Sequence, residues 1–516
     1  MGLSGDPDGT LSSAAAPDAA LEPRAFQPLQ AIVALGAIQL VTMAAGLLRS
    51  KVLAVLLGPA GVGITGVVDQ VVAVVAQLGS LSVPMAALKY LTRKREESPA
   101  SLARLLHALT RLLLGASSIA AAIAVVIAIF RPETLGADLG SYRPALLLAI
   151  ASVPFAAAVL LQRNVLAVFQ RHELAAWVAL ASGVALVLTS WVGIRGGGLT
   201  GLYAGNLVVN AATATFLALY VRRTLGVQRT TRSDAPALRV LASEPGLLGF
   251  CTGTHVLTLI YPVAYLLARL TVLTHRGATE VGLMGAAYGL AIVVRIALNQ
   301  ANALYLTPVV NRRTSVRDRA TATGEYVRVL VVLLTAGALA IVLAPRLWLG
   351  LLYTPRFLDA APFLGAFVIA ESILLVAGVY QALLIGFDDM RGYLGISAAV
   401  HGTVILVLAT AGDHMDPLAI AVLFASGNVA TLLLSVWRLV SRHSANEVTR
   451  SLPLVGVGIL SLVVASRLGL ATGAAAVLWK TLVYLLLSIG LFGILSPEER
   501  GWILSPLRAL WSRSRP

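Results

Sequence analysis

The sequence predicts an all-α polytopic membrane protein of about fourteen transmembrane helices, arranged as two pseudo-symmetric six-helix lobes plus an extra C-terminal helix pair. Three observations carry this. The chain has 516 residues, 58% hydrophobic and only 12% charged, too little polar surface for a soluble protein of this length. Apolar stretches of roughly 20 residues, enough to cross about 30 Å of hydrocarbon, recur from residue 28 to residue 495. Finally, residues 48–66, LRSKVLAVLLGPAGVGITG, are echoed by residues 267–285, LARLTVLTHRGATEVGLMG.

The elements follow in order. Residues 1–27 are rich in Ala, Pro, Asp and Ser, with no basic patch before a short apolar core, and predict a disordered cytoplasmic tail rather than a cleaved signal. Six spans near 28–57, 64–91, 102–129, 144–169, 174–194 and 199–221 make the first lobe, 28–221. A basic cytoplasmic linker, 222–245, leads to a second lobe over 246–440, with spans near 246–273, 280–306, 325–345, 362–386, 391–411 and 416–440. The extra pair, 452–468 and 474–495, has no counterpart in the repeat, and neither does its Lys480. The end, 496–516, sets Trp502, Leu507, Leu510 and Trp511 among arginines and predicts an interfacial tail on the cytoplasmic surface. These spans are too long and too uniformly apolar for barrel strands, so helices are the only candidates.

The echo has an offset of 219 residues: Leu48, Gly58, Val62, Gly63 and Gly66 correspond to Leu267, Gly277, Val281, Gly282 and Gly285. Arg49 and Arg269 precede the first shared glycine of each copy. Pro144 and Pro362, each opening a span, differ by 218, nearly the same offset. Two equivalent halves in a membrane are the signature of transport through the seam between them. The segment LGPAGVG (57–63) lacks the strand-to-helix context and GK[ST] of a phosphate loop, and predicts a tight outer turn. Pro84, Pro154 and Pro262 lie inside spans and are candidate kinks.

The net charge of +15 is placed in alternate loops, notably at Arg93, Lys94 and Arg95, at Arg222, Arg223, Arg229, Arg232 and Arg239, and at Arg312, Arg313, Arg317 and Arg319. That pattern fits the positive-inside rule rather than nucleic-acid binding, and puts both termini in the cytoplasm. A single cysteine, Cys251, excludes an intrachain disulfide. The longest non-cytoplasmic loop, RPETLGADLGSYR, leaves no room for a soluble catalytic domain, and no metal cluster, nucleophile elbow or accessible carboxylate pair stands out. The expectation is a protein that is not an enzyme and needs no cofactor or metal.

An arginine at mid-membrane costs on the order of 2.5–3.5 kcal/mol and is expected to face a wet cavity or a partner. Arg49, Lys51, Arg163, Arg269 and Arg295 are the candidates, against two intramembrane carboxylates, Asp69 and Glu371. The interior is short of anions, and a bound anion such as a phosphate would supply the missing charge. Helical spacing puts His255, Thr258, Pro262, Tyr265 and Arg269 on one face, and Tyr288, Arg295, Asn299 and Asn302 on another. Gln39, Thr42, Gly46 and Arg49 share a third, and Asn206, Asn210 and Thr213 a fourth. Such stripes either line a shared hydrophilic cavity or form interhelical hydrogen bonds. Lys51, about 200° around the helix from Arg49, can snorkel to the outer interface. Glu371 and Asp69 either bind a coupling proton or sodium ion or pair with the arginines.

The run RSKVLAVLLGPAGVGITGVVDQVVAVVAQLGSLSVPMAALKYLTRKR (49–95) resembles the start of bacterial polysaccharide/O-antigen flippases, of the multidrug/oligosaccharidyl-lipid/polysaccharide exporter superfamily. The matching features are the cation before VLAxLLGPxGVG, the glutamine-bearing second span and the basic loop after it. In layout the resemblance covers 28–495. Fourteen spans also fit the lipid II flippase branch. The resemblance implies a V-shaped pair of lobes in the bacterial inner membrane, alternating between inward- and outward-open forms. It implies an oligosaccharide on a polyprenyl pyrophosphate carrier as substrate, membrane lipids as surroundings, and a glycan polymerase and chain-length regulator as partners. The family's cation carries over to Arg49.

On this reading Arg49, Arg269 and Arg295, with Arg163 as a weaker candidate, neutralise the pyrophosphate. Asn299, Asn302 and Tyr265 meet sugar hydroxyls, with His255 on the same polar stripe. Two alternatives stand beside it: a multidrug or cation antiporter, which would prefer acidic cavity residues, and a membrane-embedded glycan polymerase or ligase, which would be expected to carry a large outer loop.

Overall fold

The computed structural model describes residues 27–131, 137–169, 171–224, 237–302, 315–471, 473–501 and 503–504. The predicted tails (1–26 and 505–516), Trp502, residues 225–236 of the linker, Arg312 and Arg313, and the side chains of Gln39 and Thr42 lie outside the described residues. The helices are α1 (Gln27–Ser80), α2 (Val83–Glu97), α3 (Pro99–Phe130), α4 (Arg143–Ala151), α5 (Val153–Val168), α6 (His172–Thr224), α7 (Ala237–Ala242), α8 (Leu247–Arg276) and α9 (Ala278–Ala301). They continue as α10 (Val316–Val342), α11 (Pro345–Leu352), α12 (Ala361–Gly386), α13 (Met390–Ala411), α14 (Pro417–His443), α15 (Leu452–Gly469) and α16 (Ala474–Ile494). Among the described residues, twelve helical stretches are long and apolar enough to cross a bilayer. Two of these, in α1 and α6, break internally at glycines, and dividing them gives fourteen segments. The chain is a multi-pass, all-helical membrane protein. Its outer face is apolar, with Ile119, Phe130, Trp177, Leu478 and Ile489 all more than half exposed, as a lipid-facing surface requires.

The expected outer turn over 57–63 is a single residue. Gly58 adopts φ 65°, ψ −173°, and Pro59 starts the next helical segment, where its missing N–H costs nothing. The second span therefore begins five residues before the expected position near 64. Gly277, the echo of Gly58, has φ 85°, ψ 173°, the same glycine-favouring state between α8 and α9. Pro84 marks a full break rather than a kink, whereas Pro154 marks the kink expected of it, within a single span over Leu139–Val168. Leu81 and Ser82 are left-handed (φ 46° and 54°) between α1 and α2, and α4 gives way to α5 at Ser152. Pro262 stays inside α8.

The part of α1 after Gly58 packs closely along α9. A methyl group at Gly63 would strike the Ala278 carbonyl, and one at Gly282 the Pro59 carbonyl. Gly63 and Gly282 are 219 apart, so echoed residues face each other across the contact. Helices in lipid gain little from hydrophobic exclusion, and small residues that let backbones touch supply the dispersion contact instead.

A second echo is chemical. Arg95 Nη1 donates to the Val168 carbonyl (2.7 Å), its guanidinium 5.5 Å over the Phe169 ring. Arg319 Nη1 donates to the Gly386 carbonyl (2.7 Å), 5.9 Å over Phe387. Phe169 and Phe387, 218 apart, cap α5 and α12. In both, a cation meets the negative end of a helix dipole. The final pair docks on α10, where Arg328 Nη2 donates to the Ile494 carbonyl (3.1 Å) and its Nε lies 3.1 Å from Glu499 Oε1, just beyond α16. Lys480 donates to the Gly469 and Ala471 carbonyls (2.8 Å each), closing the end of α15, which gives it a structural role.

Between α12 and α13, the buried Asp389 carboxylate accepts Arg438 Nε (2.6 Å) and Nη2 (2.8 Å), His443 Nε2 (3.2 Å) and the Gly392 amide (3.0 Å). The bidentate Arg438 holds this carboxyl well below the ordinary carboxylate range.

Two predictions follow from the packing and from this node. Gly282→Ala should destabilise the fold by about 1–3 kcal/mol, as overpacking does, read as earlier thermal exposure of the buried Cys251 to a thiol-reactive dye. Asp389→Asn should lower the unfolding temperature at pH 7. A carboxyl depressed in the folded state stabilises above its unfolded value (~3.9) and loses that contribution as pH falls below it. The gap between variant and parent should therefore narrow progressively as the pH falls below about 4, measured by tryptophan fluorescence.

Candidate functional site

The seam between α1 and α8 is held by polar contacts at depth. Gln70 Nε2 donates to the Pro262 carbonyl (2.9 Å), and Gln77 Nε2 to Thr258 Oγ1 (2.5 Å), with Ser82 Oγ 3.4 Å from the same hydroxyl. Thr258 and Pro262 of the polar stripe thus serve as interhelical glue. Farther along α8 the stripe ends in Arg269. Its guanidinium occupies the space that a side chain at Gly66 would fill, and an added Cβ at Gly285 would lie 3.9 Å from it. Gly66 and Gly285 are again an echoed pair. Arg269 Nε is buried without a hydrogen-bond partner, and the group lies 5.1 Å over the Tyr265 ring. Tyr265 is itself buried, its hydroxyl unpartnered and its ring 4.1 Å from that of Tyr288.

Arg49 is half-buried and donates from Nε to Ser190 Oγ (3.2 Å). The Tyr203 hydroxyl, 2.9 Å from Asp69 Oδ1 and 3.1 Å from the Thr65 carbonyl, lies within electrostatic reach of both Arg49 and Arg269. Asp69 is exposed. Among the described residues no carboxylate comes within salt-bridge distance of Arg49, Arg269 or Arg163. The structure therefore brings Arg49, Arg269 and Asp69 together around Tyr203. Arg163 stands apart. Its Nη2 is 3.3 Å from Ser182 Oγ, and Ser182 is about 12 Å along α6 from Ser190 at 1.5 Å per residue. His255 is placed on α8 with a buried, unpartnered Nδ1.

Arg295 belongs to a second place, a cavity of about 470 Å³ among α8, α9, α12 and α13. Of the alternatives open for Glu371, the structure shows pairing with an arginine. Its Nε donates to Glu371 Oε2, and the Tyr261 hydroxyl donates to Glu371 Oε1 (2.9 Å). Glu371, only 2% exposed, is thus an ion-pair partner. Asn299 lines the cavity and is exposed, while Asn302 accepts the Tyr326 hydroxyl at 2.5 Å.

Sequence reasoning missed several groups. Lys51 does not simply snorkel. Its Nζ donates to the carbonyls of Gly350 (3.2 Å), Leu351 (2.9 Å) and Tyr353, across the seam at the negative end of α11. Backbone acceptors carry no sequence signal. Gln381, Tyr393, Ser397 and His401 also line the cavity. The first could have been found as the one side-chain amide in α12.

The Arg295–Glu371 pair is testable directly. Glu371→Gln leaves a buried guanidinium uncompensated and should cost about 3–5 kcal/mol. Combining it with Arg295→Met should restore much of that loss, read as the thermal midpoint of the purified single and double variants.

Neither a protein-family model nor a curated protein matches the sequence. Solved structures do match in fold. The lipid II flippase MurJ, in an inward-closed conformation, superposes with a TM-score of 0.61 at 12% identity, covering 92% of this chain and 99% of that one. An inward-facing multidrug resistance MATE family transporter of the MOP superfamily gives 0.59 at 15% identity, covering 81% and 98%. A MOP superfamily transporter from Pyrococcus furiosus, described as having a binding pocket of reversed polarity, gives 0.55 at 16% identity, covering 80% and 96%. These neighbours are transporters, not enzymes, and the chain has the fold they share.

Proposed function

We propose that this protein is a flippase. It would move an oligosaccharide on a polyprenyl pyrophosphate carrier from the cytoplasmic to the outer leaflet of a bacterial inner membrane, as O-antigen or exopolysaccharide export requires. The observation that carries the proposal is Arg269, a guanidinium within a membrane-spanning helix with a buried, unpartnered Nε and, among the described residues, no carboxylate in salt-bridge reach. Arg49 is similarly unpaired by acid. Two such cations beside one exposed carboxylate favour an incoming diphosphate, whose charge would offset their desolvation.

Transport on this reading is rocking of residues 28–221 against 246–440 about the seam. With the basic loops facing the cytoplasm, the Lys51 contact and the Gly63–Gly282 approach close the outer side, and both must part for release. The anion eases each change of state by lowering the cost of enclosing the cations. Asp69, beside Tyr203, or Glu371 would be the place of any proton or sodium coupling. The resemblance to transporters supports movement across the membrane over glycan polymerisation or ligation. A cation antiporter would be favoured by an acidic cavity, whereas Glu371 is occupied by Arg295 and Asp69 accepts the Tyr203 hydroxyl at a seam that holds two arginines.

The test is made in cells that require the glycan. Arg269→Ala and Arg49→Ala, at parental expression, should each reduce surface polysaccharide at least ten-fold (about 1.4 kcal/mol per decade), with lipid-linked repeat units accumulating inside. Normal surface polysaccharide from both variants would overturn the assignment. Single repeat units at the cell surface in a strain lacking the protein would point to polymerisation instead.

A further inference from the structure

We propose that the cavity among α8, α9, α12 and α13 is a separate subsite for the uncharged sugar portion of the substrate, with Gln381, Ser397, Tyr393, His401 and Asn299 setting which glycan is accepted. The proposal rests on the flippase reading and divides its site in two: diphosphate at the Arg49–Arg269 seam, sugar in the cavity.

Charge is the first argument. Among the described residues, Arg295 is the only cationic side chain lining the cavity, and it is paired with Glu371. An entering phosphate would meet an arginine already satisfied. An entering organic cation would meet a carboxylate only 2% exposed, behind that arginine and held also by Tyr261. Either ion would have to break a buried pair, which is costly. A neutral ligand need not.

Hydrogen-bonding capacity is the second. Gln381 uses one amide hydrogen on Ser397 Oγ (3.1 Å) and keeps its carbonyl oxygen as an acceptor. His401 Nδ1 lies 3.1 Å from the Ser397 carbonyl, which can only accept. The proton therefore sits on Nδ1, and Nε2 is left as an acceptor. Asn299 is exposed and Tyr393 adds a phenol. The wall thus offers donors and acceptors without net charge, the complement of a polyol. Tyr261 lines the cavity beside them. The volume of about 470 Å³ lies within the usual range of ligand pockets, ~300–1,000 Å³.

The experiment uses the full-length protein in lipid nanodiscs with two probes. One is bare polyprenyl pyrophosphate. The other is the lipid-linked glycan extracted from a strain lacking the protein. The parent protein should bind the glycan-bearing lipid about ten-fold or more tighter than the bare carrier. Gln381→Leu should abolish that preference and leave bare-carrier affinity unchanged. Ser397→Ala, a smaller change, should reduce the preference about three-fold and keeps the test available if the first variant fails to fold. Arg269→Ala should weaken both probes equally. The subsite is overturned if Gln381→Leu and Ser397→Ala leave the glycan preference intact, or if they weaken the bare carrier as much as the glycan-bearing lipid. It is also overturned if tetraphenylphosphonium displaces the glycan lipid from the parent but not from Gln381→Leu. If the parent binds neither lipid, the flippase reading fails and the subsite with it. That outcome is distinct from binding without glycan preference, which sinks the subsite alone.

Discussion

A guanidinium wedged where two helix systems touch sets the terms for the rest of this molecule. Arg269 sits over the Gly66 and Gly285 backbones, at the position where those helices would otherwise close completely. Glycines nearer the outer turn, Gly63 and Gly282, let the backbones meet, so the contact is tight on one side of the charge and open to it on the other. Dispersion draws the helices together, while desolvation of the charge resists enclosure. A seam built this way is poised: its closed form is strengthened by anything that brings negative charge to Arg269.

The other intramembrane arginine cluster shows the opposite solution. Arg295 has been given a carboxylate, and the carboxylate a second donor from Tyr261. A complete buried pair contributes little net stability, but it fixes geometry and leaves its surroundings neutral. The same residue type therefore does different work at two depths of one protein. Unpaired, it is the cation on which the proposed anion site rests; paired, it borders a polar wall of amides and hydroxyls. Burial alone would not distinguish the two, because both arginines are half-buried. The partner list does.

Much of the architecture was legible in the sequence because hydrophobic length is nearly a direct readout of bilayer thickness. The echo was legible too, since φ above zero at Gly58 and Gly277, and the backbone contact at Gly63 and Gly282, leave glycine as the only economical residue. What could not be read is who faces whom. Helical spacing put Arg295 on a polar stripe but said nothing of Glu371, 76 residues away. Lys51 finds backbone carbonyls, which every residue possesses. Gln381, Tyr393, Ser397 and His401 come from two helices whose common cavity exists only after packing. The turn expected over 57–63 shrank to one residue because a glycine in an unusual state followed by a helix-starting proline needs no loop.

The repeat also explains why only one guanidinium lies over the glycine contact. Under the 219-residue offset, Arg269 corresponds to Ser50, Lys51 to Leu270 and Arg49 to Ala268. Two guanidinium groups placed by symmetry over one glycine contact would face each other at close range, in a medium that screens them poorly. Duplication of the scaffold is thus compatible with the fold, whereas duplication of the cation at the contact itself is not. The side chains nearest the seam must diverge even where the glycines cannot. One half supplies the central arginine, and the other supplies Arg49 to one side and Lys51 as a clasp to the carbonyls beyond α11. The site is thereby asymmetric, a symmetric frame presenting Arg269 at the glycine contact and Arg49 to one side, which suits the asymmetric lipid-linked substrate proposed above.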